Sequence, residues 1–169
     1  ENVPDETIVK RIKRERFTWE HNKRGMTDEV FPPFEPLKTN GRKVSPVLRS
    51  YTMNNQGLWD SVVTQGREIL AGAMRYVALS QEGRELDWTG NVTLESAEPH
   101  QVIYRSRAAC DAVAIEAESE IEMDGFMKVT LKLKPVENAA PLERLSLEIP
   151  LVDEECYLMH QVHDAIRQN

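Results

Sequence analysis

The chain is 169 residues long, with 40% hydrophobic and 29% charged residues and a formal net charge of −7. This length suits one domain with a substantial core, and the composition is that of a folded protein rather than a disordered one. No apolar run reaches the roughly 18 residues that cross a bilayer. The acidic balance disfavours nucleic acid as a main partner, because phosphate backbones bind basic surfaces.

The first 25 residues hold seven basic and five acidic residues, and the rest of the chain is more acidic. Asp5 is suited to cap a helix, while Ile8, Ile12 and Trp19 recur on one helical face. We therefore predict a charged helical segment over 1–25. Its apolar stripe is thin, which favours packing against a neighbouring domain over binding a membrane surface or an acidic partner.

A proline-rich connector is predicted over 26–36. The sequence Phe-Pro-Pro-Phe-Glu-Pro over 31–36 excludes a helix interior or a central strand. Phe31 and Phe34 favour a segment that is held on a hydrophobic surface. The alternative is a Pro-x-x-Pro ligand for a proline-binding module.

From Leu37 onward, apolar residues recur with period two in short segments that are separated by turn residues. This pattern, without interleaved helices, predicts an all-β fold, an antiparallel β-sandwich over 37–155 with an N-terminal α-helix. A short C-terminal helix, or a linker toward a downstream domain, is expected at 156–169. The predicted strands are 43–53, 58–64, 67–71, 73–80, 84–88, 91–97, 100–108, 112–123, 126–134 and 142–151.

The clearest pattern is a pair of alternating strands on either side of an Asp-Gly turn. A two-residue loop would place outward glutamates opposite inward apolar residues. A three-residue loop, with Gly125 in the left-handed conformation, keeps all apolar residues on one face. We therefore predict a bulged hairpin in which Glu120 faces Lys128 and Glu116 faces Lys132.

The neighbouring segments extend this hairpin into a predicted meander. Arg105 and Arg107 would then lie beside the glutamates, so that the outer face is a charged, solvated surface rather than a binding stripe. The inner face would be formed by the apolar residues of each strand, among them Val129 and Leu133. The predicted order of strands is 100–108, 112–123, 126–134 and 142–151.

Three aromatic residues are candidates for carbohydrate binding: Trp59, Trp88 and Tyr76. Asp60 and Asp87 each adjoin a tryptophan, and an indole beside a carboxylate suits the apolar face and the hydroxyls of a sugar. The alternative is that the tryptophans are core or rim residues.

Catalytic and metal motifs are weak. His160, His163 and Asp164 would share one face of a C-terminal helix, but His-x-x-His lacks the glutamate of a zinc protease motif, so a structural or interdomain role is favoured. Cys110 and Cys156 lack metal-site spacing and allow one disulfide in an oxidising compartment. We assign no catalytic residue and expect no cofactor, since no phosphate loop or nucleophile elbow is present.

Five segments follow one another in a particular order: TDEVFPPFEPL at 27–37, NQGL at 55–58, QGREILA at 65–71, MDGF at 123–126 and LERLSLEIPL at 142–151. In order and spacing, this series resembles the N-terminal β-sandwich region of large bacterial proteins similar to glycoside hydrolase family 123. The resemblance implies a sandwich that precedes a separate (β/α) barrel. The catalytic carboxylates of the family belong to that barrel, so none is carried over to this chain.

The resemblance implies a non-catalytic accessory module that scaffolds the downstream barrel of the same parent chain and contributes to a glycan site. It also implies a periplasmic or extracellular setting. The alternative is an independent carbohydrate-binding module that uses exposed tryptophans, and a third hypothesis is a small metal enzyme. A barrel-facing surface should be unusually apolar, with Phe31, Phe34, Val162 and Ile166 as candidates.

Overall fold

A computed structural model describes residues 14–17, 19–21 and 27–155. Within these residues every regular element is a β-strand, which confirms the all-β class. Residues 14–17 and 19–21 are irregular or in a turn. The remainder of the predicted helical segment over 1–25, and the predicted C-terminal helix at 156–169, lie outside the described residues.

Eleven antiparallel strands form three sheets in the described part of the chain. The first sheet has the order β1-β2-β3-β4-β5, the second β10-β9-β8-β7, and the third pairs β11 with β6. The strands are β1 (Lys38–Asn40), β2 (Lys43–Ser45), β3 (Arg49–Met53), β4 (Trp59–Thr64), β5 (Arg67–Glu68), β6 (Arg75–Ser80), β7 (Thr89–Ala97), β8 (Gln101–Ala109), β9 (Val113–Glu122), β10 (Met127–Pro135) and β11 (Leu142–Glu148).

The predicted hairpin is confirmed. Glu120 lies opposite Lys128 in the register of β9 and β10, and the Lys128 Nζ to Glu120 Oε1 distance is 2.6 Å. Gly125 has φ +84°, and the N–H of Glu122 donates to the carbonyl of Phe126 (2.9 Å) to close the three-residue loop. The alternating pattern therefore determines both the strands and their pairing.

The outer face of the second sheet is the predicted charged surface. Arg105 lies opposite Glu118, with 3.0 Å from its Nε to Glu118 Oε2. Glu116 lies opposite Lys132 as predicted, but its ion pair is with the Nζ of Lys134, at 2.8 Å. The hydrogen bond from Lys134 lowers the pKa of the Glu116 carboxyl below its ordinary value.

The predicted order of the meander is wrong at its end. β11 pairs with β6, and not with β10, while β7 completes the second sheet. In the observed register Leu145 lies opposite the fully buried Ala78, and Arg75 lies opposite Glu148. Arg75 NH2 and Glu148 Oε2 are 2.8 Å apart. This pairing places the partly buried Leu145 against the second cluster and matches opposite charges, and both favour the placement of β11 beside β6.

Two further strand predictions are wrong. The predicted strand 43–53 is divided into β2 and β3 by a turn in which Leu48 has φ 58° and the N–H of Arg49 donates to the carbonyl of Pro46 (3.3 Å). The predicted strand 84–88 contributes one isolated bridge, from Glu85 to Leu79. The turn interrupts the ladder in the first segment. Among the described residues, the second segment makes only this bridge and two flanking backbone hydrogen bonds, from the N–H of Ser80 to the carbonyl of Arg84 and from the N–H of Leu86 to the carbonyl of Ala78 (2.9 Å each).

Two buried clusters of side chains join the three sheets. In the first, side chains of β2, β3 and β4 pack against Val102, Tyr104 and Ile121 of the second sheet. In the second, Tyr76 and Ala78 of β6 pack against the other end of β8 and β9. One end of the inner face of the second sheet thus packs against the first sheet, and the other end packs against β6.

The edge strand β10 is less buried than the alternation predicts. Val129 and Leu133 lie on the inner side of β10, as predicted, but they are 38% and 52% exposed. The paired residues of β9 at these positions, Ser119 and Ile115, are each 2% exposed. Alternation identifies the face of a strand, but burial also requires a neighbouring sheet that extends as far as the edge.

Candidate functional site

A cleft of about 580 Å³ opens where ends of the three sheets meet. Four segments line it: the β1–β2 turn with Arg42, the β3–β4 loop with Asn55, the chain entering β6 with Arg75, and the chain entering β7 with Trp88. Asp60, near the start of β4, also lines the cleft. The sheet topology therefore brings together residues that are distant in the sequence.

The β3–β4 loop is held in place by its own amide side chains. Asn54 Oδ1 accepts hydrogen bonds from the N–H groups of Gln56 (2.9 Å) and Leu58 (3.1 Å). Asn54 Nδ2 donates to the carbonyl of Met74 (2.9 Å), and Gln56 Oε1 accepts from the N–H of Tyr76 (3.1 Å). These bonds tie the loop to the chain at β6, so that Asn54 and Gln56 act as structural groups.

Two buried serines support the loop from the second sheet. Ser106 and Ser119 are 9% and 2% exposed. Ser106 Oγ donates to the carbonyl of Gln56 and Ser119 Oγ to that of Gly57, each at 3.4 Å. Each hydroxyl thereby obtains a partner on an otherwise apolar face, as buried polar groups require.

A β-bulge directs Asp60 toward the cleft. Thr52 pairs with Ser61 and Met53 with Trp59, so Asp60 is the additional residue between two pairs. A bulge re-aims a side chain at the point where the ladder is interrupted. Trp59 accordingly lies in the first cluster, at 3% exposure, while Asp60 is exposed at the cleft.

The three predicted aromatic residues occupy different surroundings. Trp59 packs against Tyr51, with ring centroids 5.4 Å apart and an interplanar angle of 45°. Tyr76 is 3% exposed and packs against Trp88 at 5.3 Å and 43°. Trp88 is half-buried and lines the cleft. In this conformation Trp59 and Tyr76 present no exposed ring face, so the predicted role in carbohydrate binding stays a prediction that depends on Trp88.

The charges around the cleft are largely matched. Arg75 NH1 lies 2.8 Å from Glu85 Oε1, and Arg75 NH2 lies 2.8 Å from Glu148 Oε2. The hydrogen bond to Glu148 raises the pKa of the Arg75 guanidinium above its already high value. With Arg42 and Asp60 included, the side chains on and beside the cleft carry no excess of positive charge.

Arg42 and Asn55 were not among the predicted site residues. A signal for the second was present, since Asn-Asn-Gln-Gly between two strands is a loop rich in amide groups. The predicted metal candidates His160, His163 and Asp164 lie outside the described residues.

The described residues bear on metal binding but not on the predicted disulfide. Among them, no three His, Cys, Asp or Glu side chains are grouped closely enough to hold a metal ion. Cys110 is buried in the second cluster, and Cys156 lies outside the described residues, so their pairing stays a prediction. No helix in the part of the chain that the structure describes is long and apolar enough to span a membrane.

We expect Tyr76→Phe to raise the free energy of unfolding by about 1 kcal/mol at neutral pH. The buried Tyr76 Oη has no hydrogen-bond partner among the described residues, so its removal relieves a desolvation cost. Chemical denaturation of the unsubstituted chain and of the variant measures the difference in free energy of unfolding. The control is Tyr104→Phe, which removes the hydrogen bond from Tyr104 Oη to the carbonyl of Gly41 (2.8 Å) and should destabilise by a similar amount.

Tyr76→Phe should also change how the free energy of unfolding depends on pH above about 10. Burial raises the pKa of Tyr76 from 10.0 to about 12, so the folded state retains the phenolic proton after the unfolded chain has released it. The free energy of unfolding should therefore fall as the pH rises from about 10 to about 12. Tyr76→Phe should weaken that fall. If Tyr76→Phe lowered the free energy of unfolding at neutral pH as much as Tyr104→Phe does, then Tyr76 Oη would have a polar partner.

Comparison with known proteins identifies a family for this chain. A family model for the third domain of glycoside hydrolase 123 matches residues 37–161. No curated protein matches the chain. The matched range includes all eleven described strands and every residue of the cleft. Because it covers well over half of the 169 residues, the chain belongs to the family of glycoside hydrolase 123 third domains.

Proposed function

We propose that this chain is a non-catalytic accessory β-sandwich module of a multidomain glycoside hydrolase, and that it scaffolds the catalytic barrel of the same parent chain. The family match supports a multidomain parent, because a third domain accompanies others. The proposal includes a periplasmic or extracellular setting, for which the resemblance is the sole support.

The observation that carries the scaffolding proposal is an apolar groove of about 350 Å³ between β10, the following loop and β11. Its largest side chains are Val113, Leu133, Val136, Leu142 and Leu145, and the rest of its lining is alanine and proline. Leu133 is 52% and Val136 38% exposed. A concave surface without a charged side chain is typical of an interaction site, and a neighbouring domain of the parent is the partner proposed here.

Leu133→Asp should weaken association with the barrel by about tenfold or more, because it places a charge in the groove. The isolated module should lose little stability, since Leu133 is exposed. The measurement is calorimetric titration of the module with the barrel of its parent as a separate polypeptide. The control is Phe126→Asp, at the hairpin tip, where the ring is 59% exposed and does not line the groove. If the unsubstituted module and the Leu133→Asp variant bound the barrel with equal affinity, the groove would be excluded as the docking surface.

A second candidate function is an independent carbohydrate-binding module. The cleft beside Trp88 favours it, because a half-buried indole next to exposed polar side chains is suited to a sugar. Trp59 and Tyr76 are buried, whereas a carbohydrate-binding module presents its aromatic rings to solvent. Their burial therefore favours the scaffolding proposal.

A further inference from the structure

We propose that the cleft between the β3–β4 loop and the chain entering β7 binds one uncharged sugar residue of a glycan. The inference deepens the second candidate function and names its site. It does not depend on scaffolding, because the apolar groove is lined by other residues.

The unengaged polar groups of the cleft suit vicinal hydroxyls. The side chains of Arg42, Asn55 and Asp60 line the cleft and are exposed. They enter none of the hydrogen bonds or ion pairs found among the described residues. A guanidinium donates, a carboxylate accepts, and an amide does both. A sugar hydroxyl also donates and accepts. The three side chains can therefore supply both acceptors and donors to neighbouring hydroxyls of one sugar.

The electrostatics favour an uncharged ligand. Arg75 is engaged by Glu85 and Glu148, which leaves Arg42 and Asp60 as one charge of each sign. An anionic ligand would meet three carboxylates on or beside the cleft, and a cationic one would meet two guanidinium groups. A neutral, hydroxyl-rich ligand avoids both costs of desolvation.

The cleft also offers an apolar wall and a suitable volume. Trp88 lines the cleft and is supported from behind by Tyr76, 5.3 Å away between ring centroids. The volume of about 580 Å³ falls within the roughly 300 to 1,000 Å³ of small-molecule sites. An indole beside exposed hydrogen-bonding groups accommodates the apolar face of a pyranose while its hydroxyls bind to the polar side.

The binding groups are held before a ligand arrives. The hydrogen bonds of Asn54 and Gln56 fasten the loop that carries Asn55, and the bulge fixes the direction of Asp60. Gly90 permits the close approach of β7 to that loop, since a Cβ there would collide with the backbone carbonyl of Asn55. A rigid site loses less entropy on binding, which raises affinity.

The test begins with the full chain on an array of immobilised neutral oligosaccharides, with sulfated and sialylated oligosaccharides as the charged comparison. The neutral oligosaccharide that binds most strongly is then titrated into labelled protein, and the indole N–H signals are followed by NMR. We expect saturable binding, a shift of the Trp88 signal and no shift of the other two indole signals. Trp88→Phe assigns the signal.

Two variants locate the site without disturbing the core. Asp60→Asn and Asn55→Ala should each weaken binding by about tenfold, the loss expected for a hydrogen bond to a charged or well-oriented group. Both side chains are exposed, so stability should not change. Asp87→Asn is the matched control, because Asp87 is an exposed neighbour of Trp88 that does not line the cleft.

The proposal is overturned by absence of saturable binding to every neutral oligosaccharide, by binding that prefers the charged ones, or by binding that both variants leave within about twofold of the unsubstituted chain. Leu133→Asp separates the two proposals. Loss of barrel association with glycan binding intact supports a glycan site that is distinct from the scaffolding surface. Loss of both in Leu133→Asp would show that glycan binding requires the apolar groove, and would overturn the assignment to the cleft.

Discussion

Gly57→Ala should lower the free energy of unfolding by more than about 3 kcal/mol, which combines the strain of a left-handed backbone with overpacking. Gly57 has φ +77°, and a Cβ on it would lie 2.5 Å from the Cβ of Ser106 and still closer to its Oγ. The loop cannot move away easily, because Ser119 Oγ donates to the carbonyl of Gly57. Denaturant unfolding of both proteins measures the loss.

The control for this prediction is Gly83→Ala. Gly83 has the same φ of +77°, but no atom lies within 4 Å of a Cβ added there. It should therefore show the conformational strain alone, about 1 to 2 kcal/mol. Equal losses in the two variants would mean that the collision at Ser106 is relieved, and that the β3–β4 loop is less firmly seated on the second sheet than its contacts indicate.

Ile115→Ala should cost about 2 to 5 kcal/mol of stability, the range for truncating a buried aliphatic side chain. Ile115 is 2% exposed and belongs to the cluster that joins β6 to the second sheet. Leu133 lies directly opposite on β10 but is 52% exposed. Leu133→Ala should therefore cost less than about 1 kcal/mol.

These two variants compare the same face of two paired strands by the same denaturation measurement. A large loss for Leu133→Ala would show that the apolar groove is covered in the isolated chain, which would remove the main support for docking of a barrel there. A small loss for Ile115→Ala would contradict the placement of the second cluster.

The parts of the fold that could be predicted from the sequence are those with a strong local pattern. The hairpin of β9 and β10 is the clearest example, because a register error would bury charged residues such as Glu120 and Lys128. The placement of β11 could not be predicted in this way. Its alternation identifies an inward face, but the edges of both β10 and β6 can accept an alternating strand. The ion pair of Arg75 and Glu148 that favours β6 joins residues far apart in the chain.

The candidate site was less accessible to sequence reasoning than the strands. Trp59 and Asp60 are adjacent in sequence, and only the bulge determines that the ring enters the core while the carboxylate reaches the cleft. Arg42, Asn55 and Trp88 come from three separate segments, and no spacing rule brings them together. Hydrophobic periodicity reports which face is buried, but a cleft at the ends of sheets depends on the packing of one sheet against another.

The pairing of β6 with β11 has a consequence for synthesis of the protein on the ribosome. β7 to β10 form a meander of neighbours in sequence, so they can pair as soon as they emerge. β6 emerges earlier but must wait for β11, the last of the described strands, before its free edge is covered. Until then, Tyr76 and Ala78 of the second cluster lack the side chains of β11 that pack against them. Any fragment that ends before Leu142 should therefore leave β6 open to pairing with other chains.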